Sequence, residues 1–356
     1  MSEFLSGRFK GLDPYVPGEQ PKDKKYIKLN TNESPFPPAA GISKRIAELG
    51  AVDGLRLYPD PTADNLKTAF ADTFGVKKEN VFLAGGSDEV LDLCFTCFSE
   101  SGVIFPDVTY GFYSVFANLR GIEYKEIPLD SSLRINISDY IEESEKTAVF
   151  PNPNAPTGLL LSTGDIAKIA EADKKRLVII DEAYIDFGGE SAMSLIKDYG
   201  NILVVGTFSK SRSLAGARVG YAVGSPDVIR DLETVKFSSN PYDISVISLI
   251  AAEEALKDGE YFDFCRNEII NNREYTKERL AKLGFEVTDS CANFVFIKHP
   301  SLDGEETYLK LKEAGILVRH FKGERIKDYV RVTIGKREDM DAFLSALTKI
   351  LEDKTK

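Results

Sequence analysis

The segment Val205–Gly224, VGTFSKSRSLAGARVGYAVG, decides how the rest of the chain is read. One apolar run, Ile202–Val205, enters it, and a second, Val219–Val223, leaves it. Between them stand a lone lysine, Lys210, and a lone arginine, Arg218, among serines and glycines. Short β-branched runs of this kind read as strands, and the Gly- and Ser-rich island as a loop. The pattern repeats outward from here. NVFLAGG, SGVIFPD, EYKEIPL, KTAVFPNP, RLVIIDEAY, NILVVGTFS and RVGYAVGS are strand-like runs between about residues 80 and 225. Helical patterns at Ser87–Ser99, Phe112–Leu119 and Thr163–Ala172 separate several of them. Apolar strands alternating with helices predict an α/β fold with a mostly parallel sheet covered on both faces. In such sheets ligands bind beyond the carboxyl ends of the strands, so the polar residues that close each run carry the chemistry.

Beyond Ser238 the pattern changes to that of a smaller α+β unit. A helical region from about Ile244 to Leu283 breaks near Lys257–Glu260. Strand-like NFVFIKH, helical GEETYLKLKEAG, the runs ILVRHF and YVRVTIG, and a last helix from Arg337 follow. The Pro-rich opening is too irregular for a core element and is expected to wrap across the molecule. The expected division is residues 1–46 as an N-terminal segment packing with the small domain, 47–239 as the large domain, and 240–356 as the small C-terminal domain.

Composition narrows the function classes. The chain has 356 residues, 43% hydrophobic and 28% charged, ordinary for a globular protein with a substantial core. A net charge of −11 argues against a nucleic-acid or anionic-membrane surface. No apolar stretch approaches a membrane span, and the opening MSEFLSGRFKG lacks the basic-then-apolar order of a signal peptide, so a cytoplasmic location is expected. Four cysteines make no disulfide framework. Cys94 and Cys97 fall on the apolar face of a helical pattern and read as core. The two histidines, His299 and His320, offer no ligand spacing, so no metal is expected.

The strand ends supply a short inventory. Gly86 and Ser87 lie between a strand and a helix, where helix-start amides suit a phosphate. NPNAPTG is hard to explain as packing, and RLVIIDEAY closes an apolar strand with Asp181, Tyr184 following. A buried carboxylate must meet a donor or a cation. Ser209, Lys210 and Arg218 add a hydroxyl, an amine and a guanidinium. Nicotinamide-type, Walker and nucleophile-elbow signatures do not occur. An anion site, a carboxylate, an amide, a phenol and a lysine together suit pyridoxal phosphate.

The ordered motifs GGSDEVL, DVTYGFY, NPNAPTG, DEAYIDF, TFSKSRSLAGARVGY and VRVTIG resemble those of the fold-type I pyridoxal-phosphate aminotransferases. More narrowly, YVPGEQ, IKLNTNESPFPP and LRLYPDPTADNLKTAFA resemble the histidinol-phosphate branch of that family. The resemblance implies a large domain with a mostly parallel seven-stranded sheet and one antiparallel strand, beside a smaller α+β domain. It implies that Lys210 binds the cofactor covalently and shuttles the proton. Gly86, Ser87, Asp88, Thr207, Ser209 and Arg218 would form the phosphate side, Asp181 would keep the ring nitrogen protonated, Tyr184 would bond the phenolic oxygen, and Tyr110 would stack on the ring. The family usually has asparagine where this chain has Ala155; Asn154 is the nearest substitute and Asn152 the next.

Tyr58 resembles a tyrosine that reaches the neighbouring subunit's phosphate, implying a homodimer with composite sites. Arg331 and Arg319 resemble arginines that grip the substrate's anionic groups, with Tyr15 and Asn32 closing over them. The implied reaction interconverts histidinol phosphate plus 2-oxoglutarate and imidazole acetol phosphate plus glutamate, in histidine biosynthesis. On the same scaffold the rivals are an aromatic aminotransferase and a threonine-phosphate decarboxylase. A non-catalytic regulator would need a DNA-binding segment and a different charge.

Overall fold

The structure, a computed structural model, describes residues 2–13, 15–48 and 54–355. Pro14, in the Pro-rich opening, lies outside the described residues, as do 49–53 near the expected start of the large domain. A short N-terminal strand, β1 (Ile27–Lys28), precedes the main sheet. That sheet comprises β2 (Val81–Ala84), β3 (Val103–Pro106), β4 (Tyr124–Ile127), β5 (Thr147–Pro151), β6 (Val178–Asp181), β7 (Ile202–Thr207) and β8 (Gly220–Val223). Its order is β2-β8-β7-β6-β5-β3-β4, and only the pairings of β8 are antiparallel. This is the seven-stranded sheet implied above.

Burial follows from position in the sheet. Strands β5, β6 and β7 are buried along their whole length, as parallel strands covered on both faces must be. Edge strand β4 exposes Tyr124, Lys125 and Glu126, charges that discourage pairing with another chain. Along β6 and β7 alternate residues enter different cores. Ile179, Leu203 and Val205 pack with Val90, Leu91 and Phe95 of the helix Ser87–Phe98, whereas Val178, Ile180, Ile202 and Val204 pack with Ile166 and Ile169 of the helix Thr163–Ala172. The two-residue period then sends Asp181 and Thr207 to the face that carries the helix Ser87–Phe98. That helix begins at Ser87, directly after β2, so its amino end meets the ends of β6 and β7.

The C-terminal sheet contains β9 (Glu286–Val287), β10 (Phe294–Lys298), β12 (Arg319–His320) and β13 (Val330–Thr333), in the order β12-β13-β10-β9. Strand β11 (Ile316–Leu317) pairs in parallel with β1, tying the N-terminal segment to this unit. The expected helix break is present: Asp258 ends Val246–Lys257 and its side chain caps Gly259–Lys282 by accepting from the Tyr261 amide. The first of these helices does not join the C-terminal unit. Leu249, Ala252, Ala255 and Leu256 pack with Phe70, Val81, Leu83 and Val223 against the large sheet. We propose that the large domain, expected to end at residue 239, extends through this helix to about residue 258. Cys94 is buried and Cys97 half-buried on the helix Ser87–Phe98, and burial raises both thiols, Cys97 to about 11. They are core residues, as expected.

Candidate active site

A cavity of about 260 Å³ opens at the carboxyl ends of the central strands. Its lining includes Ser87, Asp88, Tyr110, Asp181, Tyr184, Thr207, Ser209, Lys210 and Arg218, so one site gathers most of the residues singled out in the sequence. Thr31, Glu33, Ala155 and Ala183 complete much of its wall.

At its floor Asp181 is buried, accepting from the Tyr113 hydroxyl at 3.0 Å and from the Ala183 amide at 3.2 Å. Burial pushes its carboxyl up to about 6, and these two donors pull against that rise. An acid so placed is primed to meet a cation. Tyr113 escaped the sequence reading because its hydroxyl sits on an otherwise apolar helix face, where no local pattern marks it.

At one side of the cavity, Gly86 holds a backbone φ of +104° just before the helix, and a Cβ there would lie 2.5 Å from the Arg218 guanidinium. Gly220 lets β8 press against the same turn, since its Cβ would fall 2.3 Å from the Ser87 nitrogen. Glycine at both positions leaves a bare cradle of helix-start amides beside an arginine. Thr207 Oγ1 donates to Ser209 Oγ at 2.9 Å along its rim. Arg218 Nη2 meets Asp88 at 3.0 Å, and the Tyr110 hydroxyl donates to the other oxygen of the same carboxylate at 2.7 Å. Lys210 Nζ lies 5.8 Å from the centre of the Tyr184 ring and donates to the Thr31 carbonyl at 3.3 Å.

Asn154, Asn152, Asn32 and Tyr58 lie outside the cavity lining. Asn154 does not line the cavity: Nδ2 donates to the Val108 carbonyl and Thr157 Oγ1, and Oδ1 accepts from Thr109. Asn152 is committed as well, exchanging two hydrogen bonds with the Leu161 backbone. Both amides hold the NPNAPTG loop closed, leaving the methyl of Ala155 at the cavity wall. Asn32 is buried, with its side chain bonded to Tyr184 and Thr333 rather than turned into the cavity. Tyr58 is 80% exposed and stacks on Tyr242 with ring centres 4.5 Å apart, away from its own chain's cavity.

The two arginines stand opposite each other. Arg319 on β12 and Arg331 on β13 are register partners, and like charges so placed repel. Arg331 Nη2 donates to the Asn30 carbonyl at 3.1 Å, while its buried Nε has no partner among the described residues. Burial lowers its guanidinium, and Arg319 adds to that effect. Arg319 reaches the carbonyls of Val16 and Pro17, at 3.1 and 3.4 Å. Tyr15 packs on Phe112 with ring centres 4.1 Å apart, within electrostatic reach of Tyr110 and Arg331. Two facing guanidiniums, one with an unused buried donor, define a site for a forked anion.

An anion cradle, a lysine amine and a buried acid at the strand ends of a seven-stranded α/β sheet, with paired arginines on the C-terminal sheet, fit an aminotransferase of the kind that uses an organic cofactor. The chain belongs to the class I and II aminotransferase family, whose sequence profile matches residues 24–347. Within that class it is similar along its whole length to histidinol-phosphate aminotransferases. That of Brachyspira hyodysenteriae is 48% identical over 356 residues, covering 99% of this chain and 100% of the relative. That of Clostridium botulinum strain Okra is 47% identical over 353 residues, 99% of each chain. The fold matches the histidinol-phosphate aminotransferase of Sinorhizobium meliloti, solved in complex with pyridoxal-5'-phosphate, with a TM-score of 0.89 at 23% identity over 99% of each chain.

Proposed function

We propose that this protein is a pyridoxal-phosphate-dependent aminotransferase that interconverts histidinol phosphate plus 2-oxoglutarate and imidazole acetol phosphate plus glutamate. The cavity carries the reading: Lys210, the buried Asp181 and the bare Gly86 cradle share it, so amine, acid and anion site lie together. These residues fit the cofactor. Ser87, Thr207, Ser209 and Arg218 would hold its phosphate, Asp181 its ring nitrogen, Tyr184 its phenolic oxygen and Lys210 its carbonyl carbon. When bound, it supplies a sink for the electron pair left as a Cα–H bond breaks.

The protein's own part is positional and electrostatic. Asp181, raised by burial, ionises once a cation sits beside it, and so keeps that cation in place. The Lys210 amine, in a cavity walled by Thr31, Tyr110 and Tyr184, would take the proton from the substrate's α-carbon and deliver it to the cofactor's former carbonyl carbon, on the far side of the shared nitrogen. Arg331 and Arg319 grip the substrate's anionic end, which is a phosphate in one half-reaction and a carboxylate in the other. Thr31 and Glu33 line the same cavity, and Tyr15 would close over a bound substrate.

Tyr58 supports a homodimer with composite sites, because it is exposed and stacked on Tyr242 instead of lining its own cavity. Exposed Leu55, Leu57, Phe237 and Ile247 are available to the same contact. Four free cysteines suit a reducing, cytoplasmic setting. The test is a panel of single half-reactions read from the bound cofactor's absorbance. Histidinol phosphate should react well, histidinol at least tenfold more slowly, and phenylalanine more slowly still. A faster phenylalanine reaction makes it an aromatic aminotransferase; carbon dioxide from threonine phosphate makes it a decarboxylase.

A further inference from the structure

Asn32 is held at every polar atom. Its backbone is left-handed, with φ of +56°, a conformation asparagine tolerates better than most residues. Its backbone nitrogen donates to Thr333 Oγ1 at 2.9 Å, and its carbonyl accepts from Asn293 Nδ2 at 3.0 Å. Thr333 Oγ1 in turn donates its own hydrogen to Asn32 Oδ1 at 3.0 Å. The amide thus lies with Oδ1 toward Thr333 and Nδ2 toward the Tyr184 hydroxyl, 3.0 Å away. An amide nitrogen only donates. The Tyr184 oxygen is therefore the acceptor, and its own hydrogen is left for another partner in the cavity that Tyr184 lines.

We propose that Asn32 is a positioning residue that sets the direction of the Tyr184 hydroxyl hydrogen, making that phenol the cavity's donor to the cofactor's phenolic oxygen. The inference rests on the function proposed above. Its importance comes from the NPNAPTG loop: Asn152 and Asn154 are engaged elsewhere, and Ala155 offers only a methyl at the wall. A role that an asparagine and a tyrosine could share falls to the tyrosine, and the N-terminal segment supplies the group that aims it. The same contact joins the cofactor end of the cavity to Thr333, two residues beyond Arg331 on β13.

The test uses the holoenzyme's visible absorbance as a function of pH. A hydrogen bond to the phenolic oxygen lowers that oxygen's hold on a nearby proton, so losing it raises the midpoint of the spectral change. Asn32→Asp keeps the shape and the Thr333 contact but presents an acceptor, so Tyr184 donates to it and the cavity loses its hydrogen. Asn32→Gly keeps the left-handed backbone and frees the hydroxyl to rotate. Asn32→Asp and Tyr184→Phe should each raise the midpoint by about one pH unit, roughly tenfold in proton affinity, and Asn32→Gly by less. The double variant Asn32→Asp/Tyr184→Phe should shift no further than Tyr184→Phe alone. Unchanged midpoints in both Asn32 variants, or an additive shift in the double variant, overturn the proposal. If Asn32→Asp does not fold, an unchanged midpoint in Asn32→Gly overturns it alone. Wild-type protein that binds no pyridoxal phosphate overturns the proposed function instead, a distinct outcome.

Discussion

The residues proposed for the cofactor, which line the cavity, and those proposed for the substrate, which lie outside its lining, are held by different kinds of structure. At the cofactor end, Asp181 and Thr207 close central strands buried along their length, and Ser87 begins a helix packed under the same sheet. Among the residues proposed for the substrate, Arg319 is held by the carbonyls of Val16 and Pro17, and Tyr15 by one aromatic contact with Phe112. Arg331 alone there comes from a buried strand, β13. The first end is fixed by the sheet before anything binds. The second is assembled from loops and the N-terminal segment, which suits a surface that must accept two substrates of different size.

This contrast predicts a graded set of losses. The largest belongs to the cofactor end. Lys210→Ala should lower transamination by about 10⁴-fold or more, since it removes both the covalent anchor and the acid–base group. Borohydride reduction of the wild type should fix the cofactor to the Lys210 peptide; label on a different lysine breaks the assignment.

At the substrate end the losses should be smaller and should split by residue. A charge-assisted hydrogen bond is worth about 1.5–3 kcal/mol, or roughly tenfold to a hundredfold in rate. Arg331→Ala, which loses a half-buried guanidinium, should fall by about a hundredfold in kcat/KM with histidinol phosphate and with glutamate alike. Arg319→Ala should lose about tenfold with histidinol phosphate and little with glutamate. Equal losses in Arg319→Ala for both substrates would erase the distinction between the two arginines.

The smallest effect concerns stability behind the cofactor end. Glu182, next to Asp181, is fully buried and accepts from the Ala192 amide and the Ser191 hydroxyl. Burial pushes its carboxyl up to about 8, from an ordinary 4.5. Between those values the folded protein holds a proton that the unfolded chain releases, so stability is greatest below pH 4.5 as far as this group is concerned. It is lost as the pH rises toward 8. Thermal melts should show this fall as a few degrees in Tm between about pH 5 and 8, and Glu182→Gln should flatten it. A slope unchanged by the substitution would show that Glu182 does not hold that proton.

Legibility in the sequence follows the same divide. Strand runs such as VIID and ILVVGT could be read because burial on both faces demands continuous apolar residues. The break at Asp258 could be read because a helix cap is local chemistry. What the helix Val246–Lys257 packs on could not be read, because its apolar face says that it packs, and not on what. Asn154 failed as a cavity residue for a related reason: an amide beside a proline-rich turn can serve its own loop as readily as a ligand. Tyr113 and Glu33 lie within the motifs DVTYGFY and IKLNTNESPFPP but gave no individual signal, since neither residue type at its position differs from packing or from an ordinary surface charge.

The sequence by itself determined the sheet, the order of its strand-end residues and the set of groups, from Gly86 to Arg218, that the sheet brings to one place. These are consequences of periodicity and of the rule that a parallel sheet binds at its carboxyl edge. Only the tertiary structure decided which polar side chains are free. Asn32, Asn152 and Asn154 have identical amides, yet all three are engaged, and of the three only Asn32 bonds a residue of the cavity wall. The physical reason is that a hydrogen bond saturates its donor, and whether a donor is already taken depends on residues as distant as Thr333, 301 positions along the chain from Asn32.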